Sequence, residues 1–199
     1  MRPATEPQPA TSALPDLNDT RTAFAHLSGR DLSRAYWLFR VIGNKTVSDL
    51  GAALTKLALW SHLPVKGAIK ATIFRQFCGG ETVGESLLTA GRLSQKGIGS
   101  ILDYSVEGKE DDASLDHTTE EIIGNINTAK GRSDIPFCVF KPSGIAPVAL
   151  LEAVSDGRTL NTDETREWEL VKQRFDRICS GALAAGVRVL VDAEESWIQ

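Results

Sequence analysis

Along the first half of the chain, apolar residues recur three and four positions apart, the spacing of a helix that buries one face. A helix over 31–42 puts Leu32, Ala35, Leu38, Phe39 and Ile42 on one side, with Ser28 or Asp31 placed to cap it. A second, over 47–61, carries Leu50, Leu54, Leu57 and Ala58, and Pro64 turns His62 and Leu63 away from helical geometry. A third over 65–77 is stopped by Gly79-Gly80, where a left-handed residue is usually required. The fourth spans 82–96. Thr82 followed three residues on by Glu85 predicts a capping box, and Gly97 closes the helix.

From residue 98 the pattern changes to short continuous apolar runs separated by helical stretches. Strands are predicted over 100–107, 136–141 and 187–193, with helices over 114–131, 147–154 and 162–185 between them. Strand, helix, strand, helix, strand is the order of a parallel sheet with crossover connections. Strand interiors that are nearly all apolar predict a sheet covered on both faces. The domain reading is therefore a leader over 1–22, a helical region over 23–97 and a β/α region over 98–199.

Composition narrows the function classes without choosing one. The chain has 199 residues, 42% hydrophobic and 24% charged, with a net charge of -4. That is long enough for one domain with a real core, and it offers no basic footprint for nucleic acid. No apolar run approaches the roughly 18 residues needed to span a bilayer. The leader, "MRPATEPQPATSALPDLNDT", is rich in Pro, Thr and Ala. It is too poor in large apolar residues to offset the entropy of ordering, so disorder is predicted there. It lacks the apolar core of a secretory signal, and Glu6, Asp16 and Asp19 do not fit a transit peptide. Cys78, Cys138 and Cys179 are odd in number and widely spaced, which points to reduced thiols rather than a disulfide framework or a zinc site.

Candidate chemistry lies at the ends of the predicted strands. The first ends in Asp103, Tyr104, Ser105 and Glu107, the second in Lys141, and the third in Asp192, Glu194 and Glu195. In a parallel sheet these ends share one side, where β/α barrels and doubly wound sheets both build their sites. No G-x-G-x-x-G follows a strand, which disfavours the dinucleotide-binding version. Lys141 suits pairing with a carboxylate, binding an anion, contacting a cofactor, or forming a Schiff base as in an aldolase. Asp192 suits orienting a ligand amine, holding the lysine, or capping a following helix. His26, His62 and His117 stand alone and read as structural or solvated.

The stretches "FRQFCGGET", "ILDYSVEGKE", "FCVFKPSG" and "VLVDAEESWIQ" resemble, in order and spacing, the proline dehydrogenase family. The likeness runs from about Asp31 to the last residue, and is to the stand-alone form. It implies an α/β fold: a helical N-terminal region followed by the first three βα units of a (βα)8 TIM-like barrel, incomplete in this chain. It also implies oxidation of L-proline to Δ1-pyrroline-5-carboxylate with FAD over the strand ends. Electrons would pass to a membrane quinone, which implies peripheral membrane contact. Localisation would be cytoplasmic, at the inner membrane, on the matrix side in a eukaryote. By motif, Lys141 would stand near flavin and substrate, and Asp192 beside the substrate amine, with Ala193 at the cofactor. Glu107 or Glu110 would be the acid that gates bound proline. The family's later strands and its paired arginines have no match here, so a truncated form is expected. The alternative is a non-catalytic half-barrel that self-associates through open sheet edges or complements a second fragment.

Overall fold

The computed structural model of the chain describes residues 18–104 and 110–198. It divides into two compact units, 1–76 and 77–199. Among the described residues of the first, the regular elements are all helices, joined by short turns. A single turn, α1 (Thr20–Ala23), is capped by the Asp19 carboxylate. In α2 (Gly29–Ile42) both candidate capping residues act together. The Ser28 hydroxyl accepts from the Asp31 amide at 3.2 Å, and donates to the Asp31 carboxylate at 2.6 Å. That hydroxyl, and then the Arg75 and Arg34 guanidiniums, hold the Asp31 carboxyl below its usual range. Asn44 caps α3 (Lys45–Trp60), which starts two residues before the predicted position.

The helix predicted over 65–77 is not uniform. It is built of α4 (Lys66–Ile69), a π-helical turn (Lys70–Phe74) and α5 (Arg75–Phe77). Within the wider turn the Thr72 hydroxyl donates to the Ala68 carbonyl at 2.6 Å. A side-chain donor entering the backbone ladder in this way is a recognised cause of local distortion. The predicted apolar stripe of α3 is not a core: Leu50, Leu54 and Leu57 each keep more than half of their surface exposed. In α2 only Ala35 is buried.

The second unit opens with α6 (Val83–Ser94), capped as predicted by the Thr82 hydroxyl on the Glu85 amide at 3.2 Å. The reciprocal half of the box differs, because the Glu85 carboxylate accepts from the Glu81 amide instead of the cap residue's own. Gly79 and Gly80 do not adopt the left-handed conformation. Gly80 is needed for space instead, since a Cβ there would overlap the Glu85 side chain and the Ser86 backbone nitrogen.

Then follow β1 (Ile101–Leu102), α7 (Asp112–Ala129), β2 (Phe137–Phe140), a 3-10 turn (Pro142–Gly144), α8 (Val148–Ser155), α9 (Thr162–Ala185) and β3 (Arg188–Val191). The strands form a parallel sheet in the order β1-β2-β3. Ile101 pairs with Phe137, and Phe137 with Arg188. This part is the mixed α/β, mostly helical architecture expected of strand–helix alternation. β1 is regular over Ile101–Leu102 only: Asp103 and Tyr104 are off the ladder, the Tyr104 ring packs edge-on against His117 of α7, 6.3 Å between centroids, and 105–107 of the predicted strand lie outside the described residues.

One sheet face is buried. Leu102, Cys138 and Phe140 pack with Ile122 and Ile126 of α7 and with Ile178 and Ala182 of α9. α7 and α9 are tied by Arg174, which is 2% exposed. Its guanidinium donates to Asp116 at 2.7 Å and to Asp112 at 2.8 Å. Burial pulls the Arg174 pKa down, and these two carboxylates more than offset that, raising it overall. The opposite sheet face departs from the sequence expectation of cover on both sides. Ile101 and Leu190 there are 44% and 43% exposed, and Arg188 lies exposed over the Phe137 ring. An apolar strand reports a preference for burial; the packing partner it finds is set elsewhere in the structure.

Candidate active site

β2 and β3 deliver their last residues to the same edge of the sheet. Asp192 immediately follows β3, and its amide donates to the Phe140 carbonyl at 3.0 Å, adding one rung beyond the regular ladder. Lys141 immediately follows Phe140, so the rung places the two side chains together. Lys141 Nζ stands 3.8 Å from Asp192 Oδ2. Both are partly open to solvent, with 30% of the lysine side chain and 49% of the aspartate side chain exposed. An ion pair this open stabilises the fold little; its value is in what it presents.

Two residues further along each chain a second contact repeats the link. The Ser143 amide donates to Glu194 Oε2 at 2.8 Å, and the Ser143 hydroxyl donates to Glu194 Oε1. Ser143 is buried within the 3-10 turn, so its amide requires a partner. Around these residues lies a cleft of about 630 Å³, lined among others by Lys141, Ser143, Ala193, Glu194 and Trp197. Its lining holds one cation, Lys141, two carboxylates, Glu194 and Glu195, and the apolar Val148, Trp197 and Ile198.

Of the sequence-predicted residues, Lys141 and Asp192 are brought into contact, and Ala193 borders the same cleft. Glu110 is exposed just ahead of Asp111, the cap of α7, and does not line that cleft. Glu107 lies outside the described residues. No helix follows Asp192 among the described residues, so its alternative reading as a helix cap is not realised. Sequence reasoning missed Ser143 and Trp197, and gave Glu194 no partner. The polar strand ends signalled the region but held no information on which acid would turn inward. Among the described residues no cluster of His, Cys, Asp and Glu is arranged to hold a metal ion.

The sheet and this edge define an α/β protein with a charged site at the C-terminal ends of parallel strands. The sequence model of the proline dehydrogenase family matches residues 86–199, and the chain belongs to that family. It is 34% identical over 134 residues to the carbapenem antibiotics biosynthesis protein CarD of Pectobacterium carotovorum, covering 67% of this chain and 36% of that protein. It is 26% identical to the mitochondrial proline dehydrogenase 1 of Dictyostelium discoideum, over 91% of this chain and 38% of that one. With the mitochondrial proline dehydrogenase 1 of Caenorhabditis elegans the identity is 32%, over 79% and 23%. The chain spans less than half the length of these curated relatives.

Proposed function

We propose that this chain carries part of the active site of an enzyme that oxidises L-proline to Δ1-pyrroline-5-carboxylate. The observation that carries the reading is the Lys141–Asp192 pair at adjacent parallel strand ends, in a chain of the proline dehydrogenase family. Forming the C5=N bond takes a hydride from C5 and one proton from the ring ammonium, which gives the protonated imine; loss of the second N–H proton gives the neutral product. The ring nitrogen of proline is a secondary ammonium at neutral pH, and the Asp192 carboxylate is a suitable acceptor for its N–H. Lys141 supplies a cation for negative charge, whether on the substrate carboxylate or on a cofactor ring.

The cofactor of this reading is FAD. The residues present suit one edge of it: a cation at Lys141, the exposed Ala193 in place to approach a ring closely, and a cleft with apolar walls at Val148 and Trp197. Bound there, the flavin would supply the hydride acceptor, and a quinone would be the onward electron acceptor. A (βα)8 barrel completed by further strands is the architecture this reading requires. The proposed acid gate over proline is Glu107 or Glu110.

Peripheral contact with a membrane is supported by the first unit. Residues 1–76 hold ten Lys and Arg against five Asp and Glu, although the whole chain is net acidic. The same unit exposes Leu50, Leu54, Leu57 and Trp60 along α3. A basic excess and an exposed apolar helical stripe in one unit suit an anionic lipid surface. Among the described residues no helix is long and apolar enough to cross a membrane. The proposed location is the cytoplasmic face of an inner membrane, or its matrix side in a mitochondrion.

The experiment is an anaerobic flavin spectrum of the chain with FAD, before and after L-proline. Bleaching of bound flavin by proline supports the reading; bound flavin that proline leaves oxidised refutes it for this chain. A second reading, a half-barrel that associates with a copy of itself or a complementary fragment, is favoured by the exposed sheet face at Ile101 and Leu190.

A further inference from the structure

We propose that Glu194 is a positioning residue: clamped by Ser143, it joins the ends of β2 and β3 and sets the spacing of Lys141 and Asp192. Each member of the ion pair is separated from this clamp by a single residue, Pro142 on one chain and Ala193 on the other. Pro142 has a fixed φ, so the path from Lys141 to Ser143 is short and stiff. The clamp uses both carboxylate oxygens, one on the Ser143 amide and one on its hydroxyl. Such charge-assisted bonds are roughly twice as strong as neutral ones, and two together fix direction as well as distance.

Without the clamp, the Asp192 amide bond to the Phe140 carbonyl is the last backbone rung between the two strands among the described residues. Past that rung, Asp192 and Ala193 are exposed and belong to no regular element. A merely solvated Glu194 would have no reason to accept from a residue only 6% exposed. The geometry stands by itself, while its consequence for catalysis rests on the function proposed above.

The test is NMR of the full chain labelled at its lysine side chains, with the Lys141 signal assigned through Lys141→Arg. Asp192→Asn shifts that signal, and the size of the shift measures the pair. In Glu194→Ala the shift produced by Asp192→Asn is expected to fall at least twofold, with the α7 and α9 amide signals unchanged. Glu194→Gln keeps an acceptor for the amide and a donor for the hydroxyl oxygen, and is expected to restore most of it. Ser143→Ala deletes one of the two bonds and is expected to give an intermediate value. A full-sized shift in folded Glu194→Ala overturns the proposal. Should that variant not fold, a full-sized shift in Ser143→Ala does the same. In the FAD-loaded chain, Glu194→Ala is expected to lower kcat for proline and leave KM within twofold. If the unsubstituted chain does not oxidise proline, the functional reading fails, and the lysine signal still decides the clamp.

Discussion

Cys138 has no exposed surface, and burial pushes its thiol up to about 11 from an ordinary value of 9.0. The thiolate is the reactive form, so iodoacetamide at pH 8 is expected to modify exposed Cys78 and Cys179 and spare Cys138 until the protein unfolds. Rapid modification of all three in the native chain would show that the sheet opens. The sign of the linkage follows from the raised value. The neutral thiol is favoured in the fold, so its contribution is intact below pH 9 and is lost as pH rises toward 11. Melting temperatures taken across that window should fall less in Cys138→Ala than in the unsubstituted chain. At the site itself, Lys141→Ala and Asp192→Ala are expected to lower proline oxidation by roughly 10²-fold while the far-UV spectrum is kept. Activity at the starting level in both would misplace the site. That Lys141 and Asp192 would meet at one end of the sheet was legible, because each is the first charge after an apolar run. Glu194 was not, because two acids in succession look alike until one finds a buried amide.

Among the elements, α9 is the best specified. Asn161 and Glu164 cap each other at its start, at 2.9 Å in both directions, and Gly186 ends it with φ of 67°. No atom lies within 4 Å of a Cβ placed at Gly186, so Gly186→Ala isolates the left-handed strain. Its expected cost in urea unfolding is about 1 kcal/mol. Arg174→Met should cost more, about 2 kcal/mol, by removing charged hydrogen bonds to two carboxylates that are themselves half exposed and regain water. A loss below a few tenths of a kcal/mol would mean that α7 and α9 are held by Ile122, Ile126 and Ile178 alone. Helix positions could be read from caps and periodicity. The π-helical turn could not, since a Thr reaching back to a carbonyl leaves no mark in a hydrophobic pattern. Nor could the use of Gly80 for close approach, because a glycine's identity does not say which of its freedoms is used.

For the molecule as a whole, the parallel sheet was legible and the state of its second face was not. A run such as "RVLV" asks for cover without naming it. If the face at Ile101 and Leu190 meets another copy, light scattering should give a mass that rises with concentration, and Leu190→Glu should return it to one chain. A constant single-chain mass would remove that reading. The uneven charge makes a separate prediction. The chain should co-sediment with vesicles rich in anionic lipid and be released as salt rises, because exposed charges are screened within about 10 Å at 0.1 M. Replacing Leu54 and Leu57 with Ser should weaken binding without changing that salt sensitivity. Equal binding to neutral vesicles would leave the basic excess of residues 1–76 without a role at the membrane.

The register of the sheet also bears on time. Phe137 meets Arg188 across about 50 residues of chain, with α8 and all of α9 in between. Loop closure over that distance is slow compared with helix formation. The edge that holds Lys141 beside Asp192 is therefore expected to be among the last parts of the chain to reach its native state, after the helices that support it are in place.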